Sequence, residues 1–224
     1  MELSVSLDPV GAKSLSEFEN YVLWLNEVDG ISIHCDVMDG EFSSRKALSA
    51  EMYNFLTKNT ENKIDVHLMI TSPETKINPF LVKALWGSIR SISIHVEAVS
   101  DDVALSLIEK IKTMGVEGGV VIDLETDIEK VSKKILSKCE VITIMSVKAG
   151  ASGQTCDTNA FKKLEFLKKN YPKARLIIDG GINEKNIHQA KQAGANTFVV
   201  GSAVYNAKNR EGVISALQKV LAST

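Results

Sequence analysis

Eight short runs rich in valine and isoleucine recur at near-even intervals along the chain. They are LSVSL (3–7), GISIHCD (30–36), KIDVHLM (63–69), SISIHVE (91–97), GGVVID (118–123), EVITIMSV (140–147), ARLIID (174–179) and TFVVG (197–201). Each is too brief for a helix and has the β-branched content of a buried strand. The intervening segments carry apolar residues at helical spacing: Phe18, Val22 and Leu25; Val103, Leu107 and Ile111; Phe161, Leu164 and Leu167; Val213, Leu217 and Val220. Ser14, Asp101 and Asp157 stand where helices need caps, and Gly115 and Gly194 where they end. Strict alternation of this kind predicts a parallel sheet covered by helices. An open doubly wound sheet and a closed barrel both satisfy it. A count of eight, with polar groups at the C-terminal ends of many different strands, favours a single-domain (β/α)8 TIM barrel spanning residues 1–224. No Pro/Gly/Ser-rich linker divides the chain. No G-x-G-x-x-G run joins a strand to a helix, since GVEGG at 115–119 has the wrong spacing for a dinucleotide fold.

Composition excludes several function classes. With 44% hydrophobic and 24% charged residues the chain is neither disordered nor low in complexity. A net charge of −2 gives no electrostatic reason for a nucleic acid or an anionic membrane as partner. No apolar run approaches the roughly 18 residues of a spanning helix, and the MELSVSLDPVG start lacks the pattern of a signal peptide. Three widely spaced cysteines, Cys35, Cys139 and Cys156, fit a reducing, cytoplasmic setting better than a disulfide framework.

Alternation along IHCDVMDG puts His34 and Asp36 on one face and Cys35, a core thiol, on the other. In DVHLM it puts Asp65, His67 and Met69 on one face, and Asp179 ends the seventh run. If these faces point into a barrel, His34, Asp36, His67 and Asp179 surround one point at its mouth. Two imidazoles and two carboxylates suit zinc, manganese, iron(II) or cobalt. Any one of them alone would read as a hydrogen-bonded structural group; the four together read as a metal or catalytic cluster. Asp39 fits a loop cap, and His95 with Glu97 fits a supporting role around the cluster.

Glycines at Gly180-Gly181 and Gly201-Ser202, with AGASGQ (149–154), let backbone amides approach a phosphate after strands 6, 7 and 8. The remaining features read as structural. Met38, Met69 and Met145 fit core filler. Lys133-Lys134, Lys162-Lys163 and Lys168-Lys169 fit solvated helix faces. His188 fits a surface helix, and Trp24 and Trp86 fit packing positions.

At these residues the sequence resembles the ribulose-phosphate 3-epimerase family, including its hexulose-6-phosphate relatives. SVSL, IHCDVMDG, IDVHLMI, HVEA, IMSV, GQ, IDGGI and AGAN…FVVGSAV occur in family order over nearly the whole chain. The resemblance implies a (β/α)8 barrel, forming homo-oligomers, that inverts one stereocentre beside the ketone of a ketose phosphate, most simply D-ribulose 5-phosphate to D-xylulose 5-phosphate. It implies one divalent metal per subunit, zinc first, on His34, Asp36, His67 and Asp179. Asp36 and Asp179 then act as acid and base around a metal-stabilised enediolate. Ser6, His67, Gly150, Gly153, Gly180, Gly181, Gly201 and Ser202 match positions that contact substrate or its phosphate. Departures fall in the strand–helix loops: Ser44-Arg45-Lys46 replaces a Pro-Asn pair, Asp123-Leu124 an Asn-Pro, and Lys148–Gly153 an Asn-Pro-Gly-Phe-Gly-Gly run. Arg45 and Lys148 read as surface cations, with contact to a larger or more anionic substrate as the other reading. A hexulose-6-phosphate 3-epimerase and a non-catalytic sugar-phosphate-binding barrel are the alternatives. An aldolase or decarboxylase fits less well, because no strand-end lysine or D-x-K-x-x-D pattern is present.

Overall fold

The computed structural model describes residues 1–84, 87–150 and 153–223. Its eight parallel strands are β1 Glu2–Ser6, β2 Ile31–Asp39, β3 Ile64–Met69, β4 Ile89–His95, β5 Glu117–Ile122, β6 Val141–Met145, β7 Arg175–Asp179 and β8 Thr197–Val200. Each pairs with the next, and β1 pairs with both β2 and β8, which closes the ring. A two-residue antiparallel strand, Lys46–Ala47, folds back on the end of β2. The covering helices are α1 Leu15–Leu25, α2 Ala50–Asn59, α3 Asn78–Ala84, α4 Asp101–Thr113, α5 Lys133–Lys138, α6 Asn159–Asn170, α7 Ile187–Ala193 and α8 Arg210–Ala222. The chain is therefore the expected TIM barrel. No helix among the described residues is long and apolar enough to cross a membrane.

Local signals explain most of these boundaries. Ser14 caps α1, accepting from the Glu17 amide at 3.2 Å. At α4 the cap is Ser100, and Asp101 instead opens the first turn, where its charge meets the helix dipole. Asp157 accepts from the Asn159 amide at 2.8 Å, with Thr158 in the cap position of α6. Phe18, Val22 and Leu25 of α1, Leu107 and Ile111 of α4, and Phe161, Leu164 and Leu167 of α6 are buried against the strands. In α8 the buried stripe is Ile214, Leu217 and Leu221, while Val213 and Val220 are half-buried at its edge. A core-facing stripe wider than 100° takes in both sets, so spacing alone did not choose between them. Trp24 is half-buried and stacks on Tyr21, and His188 is exposed. Trp86 lies outside the described residues.

The barrel interior is layered by strand parity. At its N-terminal floor the buried Asp65 carboxylate accepts from Arg90 Nε at 3.0 Å and from Arg175 Nη2 at 2.8 Å. Val141, Ile177 and Val199 pack together as an apolar cluster. The C-terminal end carries the polar residues.

Candidate active site and metal centre

β2 and β3 run side by side with Asp36 opposite His67, and β7 ends on Asp179 across the barrel. Pairing parity sends all four predicted side chains inward. One ligand atom from each of His34, Asp36, His67 and Asp179 lies within 4.8 Å of every other. His34 Nε2 is 3.3 Å from Asp36 Oδ1 and 3.4 Å from Asp179 Oδ2, and His67 Nδ1 is 3.1 and 3.4 Å from the same atoms. The two ring nitrogens also face each other at 3.3 Å. Lone pairs converging on one buried point are the donor arrangement of a divalent cation site.

The electrostatics agree. Burial alone pushes the imidazolium forms of His34 and His67 down, yet Asp36 and Asp179 outweigh it and raise both. Burial pushes the two carboxyls up, and the histidines hold them below the usual carboxylate range, Asp36 furthest. The cluster thus draws positive charge inward, as a cation-binding set must.

Behind His67 stands a chain that the strand pattern places only in outline. His67 Nε2 lies 2.9 Å from His95 Nε2, and His95 Nδ1 lies 3.1 Å from Glu97 Oε2. Glu97 Oε1 accepts from the Asp123 amide at 2.9 Å and from the Thr126 hydroxyl. Burial pushes Glu97 up, but the hydrogen bonds from His95 and Thr126 hold it at about 2, so it is ionised. Burial lowers His95, keeping that ring neutral. Glu97 therefore accepts the Nδ1 proton of His95. His95 Nε2 accepts in turn from His67 Nε2, so Nδ1 is the His67 nitrogen that faces the cluster and would give its lone pair to a bound cation in place of a proton.

A cavity of about 390 Å³ opens above the cluster. Asp36 and Asp179 reach its wall, with Ser6, Gly150, Gly153, Gly180, Gly181, Gly201 and Ser202, while His34 and His67 sit buried behind it. Met38, Met69 and Met145 also line the wall, so they shape the pocket as well as filling core; parity puts Met38 and Met69 one inward step beyond Asp36 and His67, and Met145 pairs with Asp179. Gly181 has φ +62°, and a Cβ there would fall 2.4 Å from the Cys156 amide nitrogen. No other residue fits this turn without moving backbone. Ala151 and Ser152 lie outside the described residues.

Arg45 and Lys163 depart from the surface reading, whereas Lys148 is exposed as that reading has it and also stands at the cavity wall. Arg45 is half-buried, with Nη2 2.8 Å from Asp8 Oδ1 and Nη1 donating to Gly150 O at 3.2 Å. Lys163 on α6 donates to the Asp123 carbonyl at 2.8 Å and to the Leu124 carbonyl, supporting the loop after β5. Asp39 caps its loop as expected, accepting from Glu41, Phe42 and Thr71 amides. Cys35 is fully buried in the core.

Residues 10–205 match the model of the ribulose-phosphate 3 epimerase family. The chain is 34% identical over 189 residues to the cytoplasmic isoform of ribulose-phosphate 3-epimerase from Oryza sativa subsp. japonica, covering 84% of this chain and 81% of that one. It is 32% identical over 196 residues to the ribulose-phosphate 3-epimerase of Aquifex aeolicus, covering 85% of each. Among solved structures, 3-hexulose-6-phosphate synthase from Salmonella typhimurium superposes with a TM-score of 0.70 at 16% identity, covering 99% and 98%. The tryptophan synthase α-subunit of Pyrococcus furiosus superposes with a TM-score of 0.66 at 17% identity, covering 98% and 95%. These structural likenesses carry the fold alone. The family match over most of the chain and the curated relatives carry more: the chain belongs to the ribulose-phosphate 3-epimerase family, and its class is isomerase.

Proposed function

We propose that this protein epimerises a ketose phosphate at C3, converting D-ribulose 5-phosphate to D-xylulose 5-phosphate. The observation that carries the reading is the convergence of His34, Asp36, His67 and Asp179 beneath a glycine-walled cavity. Inverting a carbon requires a proton to leave one face and another to arrive on the opposite face. Asp36 on β2 and Asp179 on β7 enter the cavity from well-separated strands and supply the two acid/base groups. One is ionised while the other carries the proton. Ser6 Oγ donates to Asp36 Oδ2 at 2.8 Å, orienting that carboxylate. Bound on His34, Asp36, His67 and Asp179, a divalent ion supplies Lewis-acid stabilisation of the negative charge that develops on the substrate oxygens. Imidazole and carboxylate donors suit zinc first and accept manganese, iron(II) or cobalt. Amides at Gly180, Gly181, Gly201 and Ser202, with Gly150 and Gly153, grip the phosphate, so binding energy far from C3 orients the reacting carbon. Three free thiols suit a cytoplasmic setting, and the family resemblance suggests a homo-oligomer.

Deuterium wash-in from D2O tests the reading, with the protein loaded in turn with Zn2+, Mn2+ or Fe2+. Label at C3 of D-xylulose 5-phosphate is the expected result. Label appearing only with a six-carbon ketose 6-phosphate moves the substrate assignment. Thermal stabilisation by ketose phosphates without label from any of them makes the protein a binding module.

A further inference from the structure

Lys163 and Glu97 hold one short loop between them. The loop after β5 departs from its family's pattern at Asp123-Leu124, and the Leu124 amide donates to Asp123 Oδ1 at 2.6 Å, a bond that a proline there could not make. Glu97 Oε1 accepts from the Asp123 amide at 2.9 Å and from the Thr126 hydroxyl. Lys163 Nζ, on α6, donates to the Asp123 carbonyl at 2.8 Å and to the Leu124 carbonyl. Asp123 therefore carries both holds, its amide on Glu97 and its carbonyl on Lys163. Lys163 is half-buried, and burial pushes its ammonium down against the pull of Asp123, Glu97, Glu125 and Asp127. Its two hydrogen bonds nonetheless go to carbonyl oxygens. Desolvating an ammonium is costly, and two converging acceptors offset that cost. Without the ammonium the two carbonyl dipoles, aimed at one point, repel each other. The loop then relaxes away from that arrangement and takes its donors off Glu97, the anion that sets the ring nitrogens of His95 and His67.

We propose that Lys163 is a positioning residue for the metal cluster: by holding the Asp123 and Leu124 carbonyls it keeps the Asp123 amide and the Thr126 hydroxyl on Glu97, and so keeps that carboxylate fixed at the end of the chain through His95 to His67. The inference rests on the metal reading of the four-residue cluster. It gives a helix outside the barrel a hold on the orientation of a ligand inside it. Lys163 acts only through Glu97, so its effect on the cluster is smaller than that of Glu97 itself.

The test is a double-mutant cycle on zinc affinity, read by chelator competition on wild type, Lys163→Met, Glu97→Gln and the double variant. Lys163→Met keeps the aliphatic stem and removes the donors, and is expected to weaken zinc about 3- to 10-fold. In the Glu97→Gln background the same change should cost less than about 2-fold, because the chain it serves is already broken. Nitrogen NMR spectra of the histidine rings in metal-free protein add a readout that a purely structural lysine would not move. Lys163→Met should shift the His95 ring from its Nδ1–H form to a mixture of the two tautomers. Equal losses of zinc affinity in both backgrounds, or unchanged affinity with an unchanged His95 ring, overturn the proposal. Should Lys163→Met not fold, Lys163→Gln, which keeps one NH2 donor, carries the same cycle with a smaller loss. Turnover does not enter the cycle, so a wild type that binds zinc and does not epimerise sinks the activity proposed above and leaves this inference standing. A wild type that takes up no zinc overturns this inference together with the metal reading.

Discussion

Glu97 never touches the four-residue cluster, yet it fixes which nitrogen of His67 faces it. The chain Glu97–His95–His67 has donor and acceptor assigned at every link, because its outer end is an anion that accepts and cannot donate. Neutral Gln at 97 keeps the shape and removes that demand. Glu97→Gln should therefore weaken zinc binding about 10- to 100-fold, read by competition with a chromogenic chelator. Circular dichroism should be unchanged. Unaltered affinity would show that His67 needs no such orientation.

The acid/base roles predict a sharper loss. Asp179→Asn and Asp36→Asn keep the size of the side chain and remove its capacity to exchange a proton. Each should abolish C3 deuterium wash-in within detection and leave thermal unfolding cooperative. Because both residues also sit in the metal set, zinc content is measured on the same samples. Substantial label from either variant takes that residue out of the proton transfer.

At the phosphate side, Gly181→Ala forces a Cβ to within 2.4 Å of the Cys156 amide and puts alanine at φ +62°. Strain of this kind costs about 1–3 kcal/mol and displaces the amides that face the ligand. Protection by inorganic phosphate in thermal melts should disappear, and KM should rise more than kcat falls. Protection equal to that of wild type would move the phosphate elsewhere.

Burial pushes the Asp65 carboxyl up, but Arg90 and Arg175 outweigh it and hold Asp65 at about 2. A carboxyl depressed in the folded state contributes stability that is complete above its unfolded value and lost as pH falls through its folded value. Asp65 therefore contributes about 2 kcal/mol at neutral pH, lost between roughly pH 4 and pH 2. Asp65→Asn should be less stable at pH 7 and should flatten the acid limb of a denaturant-midpoint profile. An unchanged acid limb would mean that other carboxylates govern acid unfolding.

Strand content and strand faces were legible because both are local: β-branched runs mark the strands, and a period of two sorts His34 and Asp36 from Cys35. Parity also brings His67 to the same level, so the cluster was readable before any distance was known. What escaped depends on contacts between distant loops. Nothing in the order of residues joins Asp8 to Arg45, 37 positions away, or Arg45 to the Gly150 carbonyl, 105 positions away. Lys163 looked solvated because helical spacing says nothing about the Asp123 and Leu124 carbonyls overhead. His95 and Glu97 were visible as a pair, but their role follows from a 2.9 Å contact between Nε2 atoms on adjacent strands. The methionines follow the same logic: parity aims Met38 and Met69 inward, and the depth of the cavity decides whether they fill it or line it.

The ion cluster of Asp65, Arg90 and Arg175 at the barrel floor has a consequence for traffic. Charged groups locked to one another fill that end among the described residues, and the cavity opens at the other, so the barrel is shaped as a cup. A molecule that enters the cavity beside Asp36 and Asp179 leaves by the doorway it came through. Reactant and product queue for the same entrance, and the direction of net flow is set by their concentrations outside it.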